Sequence, residues 1–433
     1  MGVLNRCLVA RLEPTCDIYD RPCPQLKPLR FGEKIKTDFD AWNKRFPEVR
    51  RRLQEDSKLL VHSEGFRSKD FLRKSFVKRE FMSNCICPEC EFKIRHPRII
   101  QAASDKVNSV LGPWMWQFSK KLSRDWSYKK PLCYASGMRN ETIGDWFDYH
   151  ISRIGNCQMI ESDLWRMDAC TGEDALRFER NVYRSYGIPD KALRVVNAQA
   201  ETKGFTRFGI FYATSATRKS GDPNTSCGNS LINGSILWWA LLDHGIKPHQ
   251  FAIIVLGDDA AILVKRGLID VSVVVDAYKR AGYIAKSKMH DEPRDGCFCS
   301  QHFWPTADGT VLGPKVGKLL VKAGWAHQES QNITTLRSMA LGLWNCCSFI
   351  PVVNTYLSRI IQLTSGIDVE PSFLHMKHGK REHAMSPDVL TWFYRWYGLV
   401  DIGGITNTIL AINRLPAIIH CEALTEWVRL DTH

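Results

Sequence analysis

Apolar residues along this chain gather in short runs whose period changes from segment to segment. Residues 251–264 (FAIIVLGDDAAILV) are apolar throughout except for Gly257, Asp258 and Asp259 at their centre. A strand buried on both faces reads as such a continuous run, so the two halves predict two strands joined by a tight Gly-Asp-Asp turn. A strand is also predicted at the start of CQMIESDLWRMDAC (157–170), and GFTRFGIFYAT (204–214) reads as one more. FVKREF (76–81) and FKIRHPRIIQ (92–101) predict strands studded with cations. Helical spacing appears in VLGPWMWQFSKKL, starting near Pro113, and in EDALRFERNVYRSYG, ending at Gly187. It appears again in the long segment that follows the loop SATRKSGDPN, and in DVSVVVDAYKRAGY, closed by Gly282. IAKSKMH reads as a short strand and CFCSQHFWPTADGTVLG as a hairpin turning at Asp308-Gly309. Residues 1–30 show no clear period and predict an irregular arm, whereas the chain from about 325 onward is mainly helical. The central order is strand, helix, strand, helix, hairpin, helix, strand, which builds one sheet backed by helices, an α+β fold.

At 433 residues the chain exceeds what one small core organises, so two or three subdomains are expected. Charge adds a direction: 59 Lys and Arg stand against 46 Asp and Glu. Residues 1–150 alone hold 29 basic and 19 acidic side chains, most of the excess. Such a surface attracts polyanions, nucleic acid or anionic membrane. The 15 cysteines are an odd number scattered along the chain, the pattern of reduced thiols in a soluble cytosolic protein. Cys85, Cys87, Cys90 and His96 have a loosely zinc-like spacing but no second cysteine pair to complete it. No uninterrupted apolar run reaches membrane-spanning length.

The chemistry centres on separated carboxylates. Asp163 ends its strand and Asp168 lies five residues on. If that strand pairs beside the 251–264 hairpin, Asp163 and Asp258 face one groove. Carboxylates so placed repel unless cations lie between them, and two magnesium ions about 3.5–4 Å apart would use these oxygens for in-line phosphoryl displacement. In SGDPNTSCGN, Gly221 permits close approach to a substrate backbone, and Thr225 and Asn229, four apart on a nascent helix, share one face. An Asn with an Asp can hold a ribose 2′-hydroxyl, which both donates and accepts. Taken singly, a Gly-Asp-Asp is a common turn and an Asp at a strand end a common cap.

The ordered set D-x4-D (Asp163, Asp168), S-G-x3-T-x3-N (Ser220, Gly221, Thr225, Asn229) and G-D-D (Gly257, Asp258, Asp259) resembles the RNA-dependent RNA polymerases of positive-strand RNA viruses, nearest the tombusvirus-like and nodavirus-like enzymes. FKIRHPRIIQ is similar to their basic fingers motif and FVKRE to the segment before it; AYKRAGYIAKSK resembles their helix-plus-lysine motif and CFCSQHF their primer-gripping hairpin. Met167 stands where many relatives carry an aromatic residue. The resemblance covers roughly residues 70–330.

It implies a right-hand polymerase with fingers, an antiparallel palm sheet backed by helices, and a helical thumb. The fingers would take residues 1–155 and 171–215, the palm 156–170 and 216–300, and the thumb 301–433. Asp163 and Asp258 would hold two Mg2+ ions, or Mn2+ in their place, with Asp259 assisting. Asp168 and Asn229, helped by Ser220, Gly221 and Thr225, would select a ribonucleotide. Lys93, Arg95 and Arg98 would neutralise the triphosphate, and Lys78 and Arg79 would contact RNA. Lys286 or Lys288 would protonate pyrophosphate; two lysines two apart on a strand face the same way, so both stay open. The implied partners are RNA template and product, nucleoside triphosphates and other viral replication proteins, at replication complexes in the host cytoplasm to which another factor recruits the chain. A reverse transcriptase shares this palm but usually has an aromatic-x-Asp-Asp, where this chain has Leu256-Gly257. A non-catalytic RNA-binding protein would need the basic surface but not three separated carboxylates.

Overall fold

The computed structural model describes residues 2–27, 29, 33–80, 97–322, 333–369, 383–415 and 421–432. Lys93 and Arg95, the cysteines at 85, 87 and 90, and His96 lie outside the described residues. The mixture of helices and sheets is α+β, as the pattern predicts. The strands, in chain order, are β1 (Arg73–Val77), β2 (Ile99–Ala102), β3 (Leu132–Tyr134), β4 (Cys157–Leu164), β5 (Glu201–Thr206), β6 (Phe211–Ser215), β7 (Phe251–Leu256), β8 (Asp259–Lys265), β9 (Ala285–His290), β10 (Cys297–Phe298), β11 (Gln301–Thr306) and β12 (Gly309–Pro314).

The chain divides into two compact units. The first comprises Met1–Lys78, His96–Ser136 and Ile154–Asp291, and contains two sheets. One is five-stranded in the order β3-β7-β8-β4-β9, antiparallel except where β3 runs parallel to β7. The other is four-stranded, β2-β1-β5-β6. The helix Thr225–Asp243 lies against β7, and its residues Leu231, Ile232, Ile236 and Leu237 are fully buried. Nearly all of β7 and β8 is buried as well, which explains why both arms of the 251–264 run lack polar alternation.

Three local differences from the predicted pattern have physical causes. The helix expected to begin near Pro113 spans Asp105–Asp125 and carries Pro113 inside it. Ser104 caps its N-terminus by accepting from the Val107 amide at 3.3 Å, and buried Val107, Leu111, Trp114, Phe118 and Leu122 offset the amide hydrogen bond that proline removes. The single strand expected at 204–214 is a hairpin, because Gly209 adopts φ 75° and turns β5 back into β6. The turn expected at Asp308-Gly309 shifts back one residue, since Thr306 pairs with Gly309 across Ala307-Asp308. A helix at Asp190–Ala198 was not predicted at all.

The N-terminal arm is irregular and is strapped to the first unit by bonds to backbone carbonyls. Arg11 donates to the carbonyls of Thr171 and Ala216, both at 3.1 Å, and the Tyr19 hydroxyl donates to that of Ala281 at 2.7 Å. In return, the Trp126 indole donates to the Pro24 carbonyl at 2.7 Å.

The second unit comprises Arg79–Arg95, Gly137–Arg153 and Glu292–His433. Its sheet is β10-β11-β12, and its helices include Ile333–Cys347, Val353–Leu363, Pro387–Tyr397, Ile402–Leu410 and Glu422–Thr432, the helical C-terminal part that the spacing predicts. Trp304, Phe349, Phe393 and Trp427 are fully buried in its core.

Within the first unit, β1 is joined to the loop preceding the Thr225–Asp243 helix by an ion pair between Arg73 and Asp222, 2.9 Å apart, both side chains 1% exposed. Removing one partner of such a pair leaves an uncompensated buried charge. Arg73→Met is therefore expected to destabilise the protein by about 3–5 kcal/mol in denaturant unfolding. A loss of under about 1 kcal/mol would contradict the pair's structural role.

Candidate functional site

The Gly-Asp-Asp turn sits at the end of the most buried hairpin of the five-stranded sheet. Leu256 pairs with Asp259, so Gly257 and Asp258 form the turn and Asp259 begins β8. Gly257 has φ 68°, a conformation that favours glycine. The predicted pairing beside the hairpin forms: β4 lies next to β8, and the register puts Asp163 directly opposite Asp259, with Asp258 in the adjoining turn. On its other side Asp163 stands opposite Lys286 of β9.

The turn is held from behind by the helix Thr225–Asp243. The Gly257 amide donates to the Ser230 hydroxyl at 2.7 Å, and the Asn233 amide group donates to the carbonyls of Gly257 and Asp258 at 3.0 and 3.2 Å. Asn233 in turn accepts from the Tyr278 hydroxyl at 2.6 Å. Tyr278 belongs to the helix Val271–Arg280, so two helices lock one turn. The sequence reading passed over Ser230, Asn233 and Tyr278. The available signal was polar Ser230 and Asn233 inside an otherwise apolar helix, where a buried polar group needs a partner.

Asp168 lies in the short helix Met167–Cys170, where Met167 packs in the core. Its carboxylate accepts from Asn229 at 2.8 Å, which brings together the Asp and Asn that the spacing predicts. Asn229 also accepts from the Arg218 guanidinium at 3.0 Å, and Arg218 is paired with Glu179, both buried. Burial pushes the Asp168 carboxyl above its ordinary range, against the opposing effects of the Asn229 hydrogen bond and the charge of Arg218. Asp258 raises it further, whereas Arg98 lowers it, so both charges act at this site. Arg218 and Glu179 were also missed, since each alone reads as an ordinary surface charge.

The loop between β6 and the helix is braced by its own polar groups. The Thr225 hydroxyl donates to the carbonyls of Lys219 and Asp222 at 2.6 and 3.0 Å, and the Ser220 hydroxyl to that of Ile99 at 3.3 Å. Gly221 pairs with Ala102 of β2, so close that a Cβ would strike the backbone of Gln101 and Ala102. The cations divide among several places. Lys78 pairs with Arg98 through its amide, 2.8 Å from the Arg98 carbonyl, while Arg79 is exposed and belongs to the second unit. Lys286 and Lys288 are exposed on one face of β9, Lys286 opposite Asp163 and Lys288 opposite Glu161.

The donor set fits a hard divalent cation. All three groups are carboxylates, and two of them stand opposite each other, where like charges are unfavourable without a counter-charge. Among the described residues no three His, Cys, Asp or Glu groups cage a metal ion by themselves. Magnesium sites commonly use one or two carboxylates and complete their shell with substrate phosphate and water.

Lys219 is fully buried, with its ammonium donating to the carbonyls of Gln199 and Thr217, the latter at 2.7 Å. Burial pushes its pKa down to about 7. Between that value and the ordinary lysine value the unfolded chain binds the extra proton, so the cost of burying the charge is relieved as pH rises through 7. Melting curves of the protein and of Lys219→Met from pH 6 to 9 are expected to show the native protein gaining on the variant as pH rises. Parallel curves would contradict a strained ammonium.

Comparison with known proteins agrees with this site. A family model for RNA dependent RNA polymerase matches residues 42–343. The chain is 25% identical over 415 residues to the RNA-directed RNA polymerase of Cucumber necrosis virus, covering 91% of this chain and 50% of the relative. It is also 25% identical over 370 residues to that of Tomato bushy stunt virus (strain Cherry), covering 82% and 44%. The replicase large subunit of Sunn-hemp mosaic virus is 26% identical over 257 residues, 57% of this chain and 15% of the relative. The chain thus spans about half the length of the first two relatives. On the match across residues 42–343, this chain belongs to the RNA-dependent RNA polymerase family, and it is similar to the tombusvirus enzymes within it.

Proposed function

We propose that this chain synthesises RNA on an RNA template from nucleoside triphosphates, in the replication and transcription of a positive-strand RNA virus. The observation that carries this reading is the convergence of the Asp163–Asp259 pair, Asp258 and the Asp168–Asn229 contact at one end of a sheet. The reading arranges the chain as a right hand: fingers from 1–155 and 171–215, palm from 156–170 and 216–300, thumb from 301–433.

In this mechanism the 3′-hydroxyl of the growing strand attacks the α-phosphorus of the incoming nucleotide. A new P–O bond forms, the α–β anhydride bond breaks, and pyrophosphate leaves. Two divalent ions, Mg2+ or Mn2+, supply Lewis-acid stabilisation of the attacking and leaving oxygens when bound. Asp163 and Asp258 hold them, with Asp259 assisting. The hairpin's burial and the Ser230 and Asn233 bonds keep these carboxylates fixed, so little reorganisation is left for the reaction itself. Asp168 and Asn229 recognise the ribose 2′-hydroxyl, with Asn229 aimed by Arg218. Ser220, Gly221 and Thr225 shape the loop beside them. Lys93, Arg95 and Arg98 balance the triphosphate charge, and Lys78 and Arg79 contact RNA. Of the two lysines, the register favours Lys286 as the proton donor to pyrophosphate, because it stands opposite Asp163, whereas Lys288 stands opposite Glu161.

No helix among the described residues is long and apolar enough to cross a membrane. We assign the work to the host cytoplasm, at replication complexes to which another factor recruits the protein.

Labelled nucleotide incorporation by the purified protein on a primed RNA homopolymer tests the proposal. Ribonucleotide incorporation is expected with Mg2+ or Mn2+, abolished by chelator and by Asp258→Asn. Lys286→Leu is expected to lower the rate about 100-fold or more, and Lys288→Leu far less. Equal use of deoxynucleotides would contradict the ribose assignment. Incorporation by Asp258→Asn at the native rate would contradict the two-metal palm.

A further inference from the structure

The four-stranded sheet is inverted relative to the usual rule of apolar inside and polar outside. Its buried face carries Arg73, Ser75, Gln101, Thr202, Tyr212 and Thr214. The buried face settles its polarity internally: Arg73 pairs with Asp222, and the Tyr212 hydroxyl reaches both Ser75 at 2.5 Å and Gln101 at 3.0 Å. Its open face carries Phe76 at 48% and Phe211 at 80% exposure, and the hairpin tip between β5 and β6 adds Phe208 at 70%. Isolated exposed apolar residues need no explanation, but aromatics gathered on one open sheet face do.

The register shows that they are gathered. Phe76 stands opposite Ile100, and Phe205 opposite Phe211, their rings 6.3 Å apart. Cations alternate with them on the same face. Lys74, two residues before Phe76, stands opposite Phe205, and Lys203 lies two residues before it. Lys74 and Lys203 are exposed, and Arg207 lies over the Phe208 ring at 4.7 Å. The carboxylate on this face, Glu201, is engaged by the Ser215 hydroxyl at 2.6 Å. Arg98, at the start of β2, acts electrostatically on Asp168, so the sheet runs up to the nucleotide site.

We propose that this open face, centred on Phe76, Phe205 and Phe211 with Lys74 and Lys203, is a binding platform for single-stranded RNA. Aromatic rings stack on bases whatever their identity, and interleaved cations meet the phosphates, which is how sequence-tolerant single-strand binding works. A paired duplex hides its base faces and cannot stack there. A protein partner would favour a patch with charge depleted at its centre, whereas here a lysine stands within the aromatic group. The platform deepens the polymerase reading and names where unpaired template is gripped, but it can be tested without catalysis.

The test is fluorescence anisotropy with a labelled unstructured RNA of about 12 nucleotides and with its duplex, a length within the range of single-strand sites. Phe76→Ala/Phe211→Ala is expected to weaken single-strand binding about 10- to 100-fold, with little change for duplex. Lys74→Ala/Lys203→Ala is expected to flatten the slope of log affinity against log salt by about 1.4, the value for two phosphate contacts on a single strand. All four positions are exposed, and unchanged melting temperatures would show that the variants fold. Native single-strand affinity in the aromatic variant would overturn the platform. So would a native dimer that this variant dissociates, which would make the face a contact between copies of the chain. Asp258→Asn protein carrying the same substitutions separates the two ideas. If the native protein lacks polymerisation but the aromatic variant still loses single-strand binding, the platform stands and the polymerase reading fails.

Discussion

Asp163 and Asp259 stand directly opposite each other on neighbouring strands, with Asp258 one residue away in the turn. A sheet gains little from like charges so placed, and it is destabilised by them unless a cation intervenes. Lys286 on the far side of Asp163 supplies one positive charge, but it lies on β9 and cannot stand between the two carboxylates. Most of the first unit serves to keep this unfavourable pair in place. β7 and β8 are buried almost throughout, and the helix Thr225–Asp243 packs its apolar residues against β7. The hairpin therefore cannot relieve its repulsion by splaying without exposing that core.

The second layer of the arrangement is buried and polar. Ser230, Asn233 and Tyr278 satisfy the turn's backbone groups, while Arg218, Glu179 and Asn229 support Asp168. Replacing such networks by apolar packing is often neutral or stabilising, so stability alone gives no reason to have them. Their effect is directional: each fixes a carboxylate or a carbonyl in a low-dielectric setting, where orientation is not averaged by water. The Arg73–Asp222 pair extends the same logic to the loop, which joins β2 at Gly221 and thereby couples the four-stranded sheet to the nucleotide-recognising residues.

Much of this was legible in the sequence because the strongest signals were local. A continuous apolar run broken by Gly-Asp-Asp gives a buried hairpin, and the fourfold spacing of Thr225 and Asn229 gives a helix face. Asp163 fell beside the hairpin as expected. What sequence could not give was register, which decides that Asp259 and Lys286 flank Asp163 and that Lys288 faces Glu161. Long-range pairs such as Arg218–Glu179 were equally invisible, since their partners lie far apart along the chain. The β5–β6 hairpin was read as one strand because its tip is apolar; Gly209 was the available turn signal. The apolar tip that misled the pattern is the same feature that marks the open sheet face.

The central claim is that these carboxylates are held against their own repulsion for the sake of a divalent cation. It is tested most directly by melting the native protein and Asp259→Asn across a Mg2+ or Mn2+ titration. The account requires that the variant match or exceed the native protein without metal, and that the native protein gain with metal by an amount that grows with the logarithm of its concentration, while the variant gains less. Equal metal shifts in both proteins, with a metal-free variant less stable than the native chain, would contradict it.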